Sequence, residues 1–319
     1  MRIFHCLAWC LAVGAPLGGS EPPAAWDGRG GLLSSTLSAP PASPDSFVLD
    51  DTGRRLSTAE PRIRVVSLVP ALTDIVVELG GSASLAGRTR FDADARIAHV
   101  PSMGGALDPS LEAIVQARPD LVIVWADTDS RGVAERLESL GLPVYGAVVG
   151  SIDDVRRHTR ALGSLLGRGD AAEKLMRRIE AGLHAARPPE PFADPPVVLV
   201  VLWPRPIMTS GRGTFIDELI RLVGARGAFD DLDVAWPTVS FEAVLQRDPD
   251  LILLAMDDPE EYRGSMGWID DSSFWGTLRA VKAGRVHLVD ADTFTRPGPA
   301  MVHAAAELAR HVRALGNDR

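Results

Sequence analysis

The chain has 319 residues, 46% of them hydrophobic and 24% charged, so it is long enough for about two globular domains with substantial cores. Its formal net charge of −9 argues against a nucleic-acid partner, because such proteins concentrate Lys and Arg on one face. The same acidic balance gives no electrostatic reason to bind an anionic membrane surface.

Residues 1–19 have the layout of a signal peptide. A positive charge at the second position precedes a mostly apolar run that is too short to span a bilayer, and small residues follow. Both cysteines, Cys6 and Cys10, lie in this segment, so a mature chain would have no thiol and no disulfide. Lipid attachment at Cys10 is the less favoured alternative, because Trp9 stands where a small residue is needed. We expect a periplasmic protein.

Residues 20–61 are rich in Pro, Gly, Ser and Ala and have no hydrophobic period. Such a segment buries too little apolar surface to offset its ordering entropy, so we predict a disordered lead. Beyond it, no run of about 18 apolar residues occurs, which predicts a soluble mature protein.

From residue 62 onward, short apolar runs alternate with amphipathic stretches, a pattern typical of βα units around a mostly parallel sheet. In the N-terminal lobe, 62–169, the predicted strands are 65–69, 85–87, 121–125 and 144–148. The first predicted helix begins at Thr73 or Asp74. The second begins at Asp108, with Asp as the cap and Pro109 at the first helical position.

The predicted link between the lobes is one helix. Residues 151–187 show only helical periodicity, broken at 167–169, and the segment 170–187 should form a single helix. The C-terminal lobe, 188–319, restarts the pattern with a strand at 197–202 and ends with a helix at about 301–315. The sequence thus predicts two α/β lobes joined by one long helix.

An internal repeat relates the two lobes. Residues 111–124 align without a gap on 241–254, with Glu, Ala, Gln, Pro, Asp and Leu at identical offsets. Shared turn chemistry could produce the same similarity, but either explanation places one βα unit of this kind in each lobe. A cleft between two pseudo-equivalent lobes is therefore the expected ligand site.

The sequence lacks the motifs of the common enzyme classes. It has no Walker A loop, no complete dinucleotide fingerprint and no serine-hydrolase elbow, and no histidine pair has the spacing of a helical zinc site. We therefore predict no catalytic residue, no metal site and no cofactor.

Three tryptophans lie where predicted strands give way to loops. Trp125 and Trp203 follow buried strands, and Trp236 precedes the second repeat helix. Ligands of open α/β sheets bind at these carboxyl ends. A single loop Trp serves the core about as often as a ligand, but three at equivalent ends favour a flat, largely apolar ligand.

Several motifs together resemble the periplasmic cobalamin-binding proteins of ABC importers, over about residues 64–315. They are SLVP at 67–70, SMGG at 102–105, RPDLV at 118–122, WPTVS at 236–240 and RPGP at 296–299. The motifs are specific for the helical-backbone class of binding proteins, a scaffold that siderophore and haem binders share.

The resemblance implies a ligand held between the lobes. Trp125 and Trp236 would be cleft aromatics, Phe91 would take the place of a cleft tyrosine, and Asp292 would face the amides of the ligand. Asp74 departs from the pattern, which usually has Glu at this position.

The resemblance also implies that Glu112 and Glu242 dock onto arginines of a permease dimer. A first-turn carboxylate by itself is explained by the helix dipole. Its duplication favours docking, because a monomeric partner matches a two-fold permease only by repeating the contact.

Other ligands and an enzyme remain as alternatives. Haem would call for an axial Tyr or His, and the tyrosines are Tyr145, on an inner strand, and Tyr262. A catecholate siderophore would call for converging arginines, and an enzyme for a nucleophile with a base. None of these groupings is visible. The leading expectation is a monomeric carrier of cobalamin or a related corrinoid, without catalytic activity.

Overall fold

A computed structural model of the protein describes residues 46–127, 130–256 and 274–317. The predicted signal peptide, 1–19, and both cysteines lie outside the described residues. Among the residues described, no helix is both long enough and apolar enough to cross a membrane.

The end of the segment predicted to be disordered is ordered. Strands β1 (Phe47–Leu49) and β2 (Arg55–Ser57) form an antiparallel hairpin. The Asp50 carboxylate accepts hydrogen bonds from the Thr52 and Arg54 amides in the turn and from the Gly146 amide of the N-terminal lobe, at 2.8 to 2.9 Å. The prediction of disorder is therefore wrong for this part, because the hydrogen bonds of Asp50 and the burial of Leu56 in the apolar core hold the hairpin in place.

The N-terminal lobe is built on a four-stranded parallel sheet with the order β4-β3-β5-β6. Its strands are nearly all buried, as expected for a parallel sheet covered on both faces. The bounds are β3 (Val65–Ser67), β4 (Leu85–Gly87), β5 (Leu121–Trp125) and β6 (Val144–Ala147). The helices of this lobe are α1 (Pro70–Glu78), α2 (Leu111–Ala117), α3 (Arg131–Ser139) and α4 (Ile152–Leu165).

Two predicted helix starts are wrong. Helix α1 begins at Pro70, whose fixed φ suits the first helical position, and Thr73 lies inside the helix with its hydroxyl bonded to Ser67. Helix α2 begins after Ser110, whose side chain accepts a hydrogen bond from the Ala113 amide. Asp108 is instead paired with Arg90 at 3.0 Å.

The C-terminal lobe follows helix α5 (Gly169–Ala186), which overlaps the predicted linking helix. Its sheet has the order β10-β8-β7-β11-β12, with β9 paired to β7, and the strands β7, β9, β11 and β12 are parallel. The strand bounds are β7 (Val197–Pro204), β8 (Ile207–Thr209), β9 (Arg226–Gly227), β10 (Thr238–Val239), β11 (Leu251–Ala255) and β12 (Val286–Val289). The helices are α6 (Phe215–Leu222), α7 (Phe241–Arg247), α8 (Arg279–Lys282), α9 (Ala291–Thr295) and α10 (Met301–Asn317). The protein therefore has the predicted two-lobed α/β fold.

The repeat is visible in the structure as two matching units. Helices α2 and α7 have seven residues each, begin after a serine cap and end at a left-handed residue, Arg118 with φ 45° or Asp248 with φ 39°. In each unit the following aspartate ties the turn to the start of a neighbouring strand. Asp120 accepts from the Arg64 amide at 3.1 Å, and Asp250 accepts from the Val197 amide at 2.9 Å.

The lobes are joined by more than helix α5. One apolar core contains buried residues of α1, α5, α6 and α10, and so continues from one lobe into the other. The Phe215 amide of α6 donates to the Gly150 carbonyl at 2.8 Å. At the start of α4, the Ile152 amide donates to the Glu218 carboxylate at 2.7 Å. These contacts oppose movement of one lobe relative to the other.

We therefore expect only a small closure when a ligand binds. The shared core and the long helix resist bending, so the radius of gyration should change by no more than about 1 Å. Small-angle scattering of the protein with and without a corrinoid, the ligand that the sequence resemblance implies, measures this change. A drop of several ångströms would show that the hinge opens widely and that the shared core separates.

Candidate functional site

Two of the predicted aromatic residues are partly exposed near the carboxyl ends of inner strands. Trp125 is the last residue of β5 and Trp203 lies near the end of β7, so each lobe contributes one. Both are half-buried against the shared core. The indole N–H of Trp203 donates to the Arg205 carbonyl at 2.9 Å. Part of each of these two residues is therefore accessible to a ligand.

Trp236 is placed differently. It is 5% exposed and belongs to the shared core. The backbone on either side of it is fixed, because the Ala235 and Pro237 carbonyls accept from the Gly211 and Thr209 amides at 2.8 and 3.1 Å. In this arrangement of the lobes Trp236 packs in the protein interior, and its contact with a ligand stays a prediction.

Arg296 brings two predicted site residues together across the lobes. Its guanidinium donates to the Phe91 carbonyl of the N-terminal lobe at 3.3 Å and to the Asp292 carboxylate of α9 at 2.9 Å. The side chain of Asp292 is half-exposed, so part of its carboxylate can still accept hydrogen bonds. We did not predict Arg296 as a site residue, although the motif at 296–299 was a signal that could have identified it.

Two further carboxylates from the N-terminal lobe lie near the same arginine. Asp74 on α1 lies 3.5 Å from the Arg296 guanidinium, and burial raises the pKa of Asp74 to about 6 although Arg296 opposes the shift. Burial also raises the pKa of Asp92, against the hydrogen bonds that Asp92 accepts from Thr89 at 2.7 Å. Arg296 thus pairs with Asp74 and Asp292, and its charge also acts on Asp92, which is 6% exposed. In the acidic cluster of these three residues Asp292 is the half-exposed carboxylate, and an exposed carboxylate accepts hydrogen bonds from a ligand.

The predicted docking glutamates occupy equivalent places in the two lobes. Glu112 and Glu242 are each the second residue of their helix and are exposed. The Gln116 side chain donates to Glu112 at 3.2 Å. The Glu242 carboxyl has a lowered pKa because its own backbone amide and the Ser240 hydroxyl stabilise the charged form. The Glu242 carboxyl is therefore ionised near neutral pH.

A cavity of about 420 Å³ lies beside α2 in the N-terminal lobe. Its lining includes Ile63, Leu85, Met103, Ala113 and Gln116, and none of the predicted ligand residues. The cavity is therefore separate from the residues predicted to bind a ligand.

Tyr145, expected on an inner strand, lies instead on β6 at the edge of its sheet, where it takes part in a buried hydrogen-bond network. The Tyr145 hydroxyl lies 2.7 Å from His158 Nδ1, and His158 Nε2 lies 2.9 Å from the Val148 carbonyl. Both side chains are fully buried. Tyr262 lies outside the described residues. Within the part of the chain that the structure describes, no three His, Cys, Asp or Glu side chains are grouped as metal ligands.

Comparison with known proteins places this architecture in a family. A family model described as periplasmic binding protein matches residues 65–293. Over 273 residues the chain is 26% identical to the vitamin B12-binding protein of Pectobacterium atrosepticum. The alignment covers 83% of this chain and 94% of that protein.

Solved structures show the same fold. The periplasmic vitamin B12 binding protein of Vibrio cholerae has a TM-score of 0.66 at 24% identity, covering 80% of this chain and 98% of that one. The periplasmic heme-binding protein RhuT of Roseiflexus sp. RS-1 has a TM-score of 0.69 at 23% identity, covering 79% and 98%. The chain therefore belongs to the periplasmic binding protein family, whose members bind a small molecule and deliver it to an ABC transporter permease.

Proposed function

We propose that the protein is a periplasmic, monomeric carrier that captures cobalamin or a related corrinoid between its lobes and delivers it to an ABC permease dimer. The observation that supports this proposal most is the pair of half-buried tryptophans, Trp125 and Trp203. Each lies near the carboxyl end of an inner strand, one in each lobe. A corrin ring is a wide macrocycle with a largely apolar face. Partly exposed indole rings suit such a face, because they offer flat apolar area at low entropic cost.

The acidic cluster suits the rim of a corrinoid. Corrinoids carry amide side chains whose N–H groups need acceptors and whose carbonyls need donors. The half-exposed Asp292 supplies an acceptor for such an N–H group, and Arg296, bonded to it at 2.9 Å, holds the carboxylate in place.

The same cluster disfavours haem and anionic siderophores. Haem propionates beside the half-exposed Asp292 would bring like charges together, and juxtaposed like charges cost binding energy. An axial ligand would also be needed, and Tyr145 is bonded to His158 in the interior. A corrinoid brings its own cobalt ligands, so it needs no axial ligand from the protein.

The docking helices begin at the same side of each lobe as the tryptophans. Arg64, next to the start of β3, donates to the Ala117 carbonyl at the end of α2, so α2 ends where the parallel strands begin. The first turn of α2, with Glu112, therefore lies toward the carboxyl ends of these strands, where Trp125 lies. Helix α7 has the same relation to its sheet, because Asp250 after it binds the Val197 amide at the start of β7. A permease bound to both glutamates would thus face the side on which the ligand is held.

Visible absorption after gel filtration tests the ligand class. The protein is incubated separately with vitamin B12, with cobinamide and with haem, and free ligand is removed. We expect the corrin bands to elute with the protein after the first two incubations. A haem band that persists while the corrin bands are lost would overturn the proposed ligand and favour a haem carrier. The cobinamide sample shows whether the nucleotide arm of vitamin B12 is required.

A further inference from the structure

The two repeat helices expose an aliphatic side chain at the same position. Val115 of α2 is 42% exposed and Leu245 of α7 is 43% exposed, and the two residues align in the repeat. The residue just before each of them, Ile114 or Val244, is completely buried. Each helix therefore faces the core with one aliphatic residue and solvent with the next.

The exposed aliphatic residue lies beside the glutamate of the same helix. Val115 follows Glu112 by three positions and Leu245 follows Glu242 by three, a spacing that places side chains on one helix face about 5 to 6 Å apart. Gln116 and Gln246 follow and are also exposed. Each lobe thus presents a carboxylate, an aliphatic group and an amide within about one turn.

An isolated exposed aliphatic residue is ordinary on a protein surface. Leu140 of the N-terminal lobe and Leu288 of the C-terminal lobe are examples outside the repeat, with exposures of 52% and 37%. Val115 and Leu245 differ from them in being paired by the repeat, at nearly equal exposure, next to matched charges. A two-fold partner would meet the same three groups twice.

Resting on the proposed function, we infer that each docking site for the permease dimer is bipartite, with Glu112 or Glu242 contacting a basic group and Val115 or Leu245 packing on an apolar residue beside it. The two parts act on different rates. A carboxylate at the rim of an interface mainly speeds association through long-range attraction. An aliphatic side chain acts only in contact and therefore slows dissociation.

The test measures binding to the cognate permease dimer in nanodiscs. The variant Val115→Ser with Leu245→Ser should dissociate about tenfold faster than the unmodified protein, because two apolar contacts lose their buried area. Its association rate and the salt dependence of that rate should stay unchanged. Val115→Ala with Leu245→Ala should give an intermediate dissociation rate.

The matched control is Leu140→Ser with Leu288→Ser, which replaces one exposed aliphatic residue by serine in each lobe, away from the repeat. It should bind the permease as the unmodified protein does, and all three variants should retain vitamin B12 on gel filtration. An unchanged dissociation rate for the repeat variants, with the docking glutamates still required, would overturn this inference alone. No binding of the unmodified protein to the permease would overturn the proposed delivery function together with it.

Discussion

Replacing Glu112 and Glu242 together by alanine is expected to reduce binding to the permease and ligand uptake by about thirtyfold or more, since the two carboxylates attract basic groups of the permease and speed association. Both side chains are exposed and lie outside the cleft, so vitamin B12 binding should stay within about twofold of normal. Uptake in cells and permease binding in nanodiscs measure the first effect, and calorimetry measures the second.

The charge-matched control is Glu135→Ala with Glu190→Ala, which removes two exposed carboxylates outside the repeat. It should leave uptake unchanged. If the pair at 112 and 242 only complemented the helix dipoles, its removal would lower the melting temperature slightly and leave uptake normal. Normal uptake in this variant would therefore contradict the docking role.

The tryptophan variants should separate ligand binding from stability. Trp125→Ala and Trp203→Ala are each expected to weaken vitamin B12 binding about tenfold or more, equivalent to at least about 1.4 kcal/mol, because each removes flat apolar surface from the ligand site. Trp236→Ala is expected instead to lower the free energy of unfolding by about 3 to 5 kcal/mol, because Trp236 is 5% exposed and its loss leaves a cavity.

Trp275→Ala is the matched control. Trp275 is buried in a different core, against Phe241, so its replacement should reduce stability without changing affinity. Urea unfolding and calorimetric titration with vitamin B12 measure the two quantities. Unchanged affinity in both Trp125→Ala and Trp203→Ala, with the fold intact, would assign these rings to packing alone.

Much of the candidate site could be predicted because its residues belong to local patterns. Trp125 follows a buried strand, and Glu112 and Glu242 hold one offset in a repeat, so their positions depend on neighbours in the chain. The cluster around Arg296 could not be predicted in this way. It joins Asp74 and Phe91 of one lobe to Asp292 of the other, and this proximity depends on how the lobes pack.

The sequence by itself determined the alternation of strands and helices, a long helix between the two lobes and the βα unit that is repeated once in each lobe. These features follow from hydrophobic period and turn chemistry, which act over a few neighbouring residues. Only the tertiary structure decided that Ser110, and not Asp108, caps α2, that Trp236 is buried and that residues 47–57 form a hairpin. The physical reason is the same in each case. Arg90 binds Asp108, the shared core encloses Trp236, and Gly146 binds Asp50, and each of these contacts joins segments that are distant in the chain.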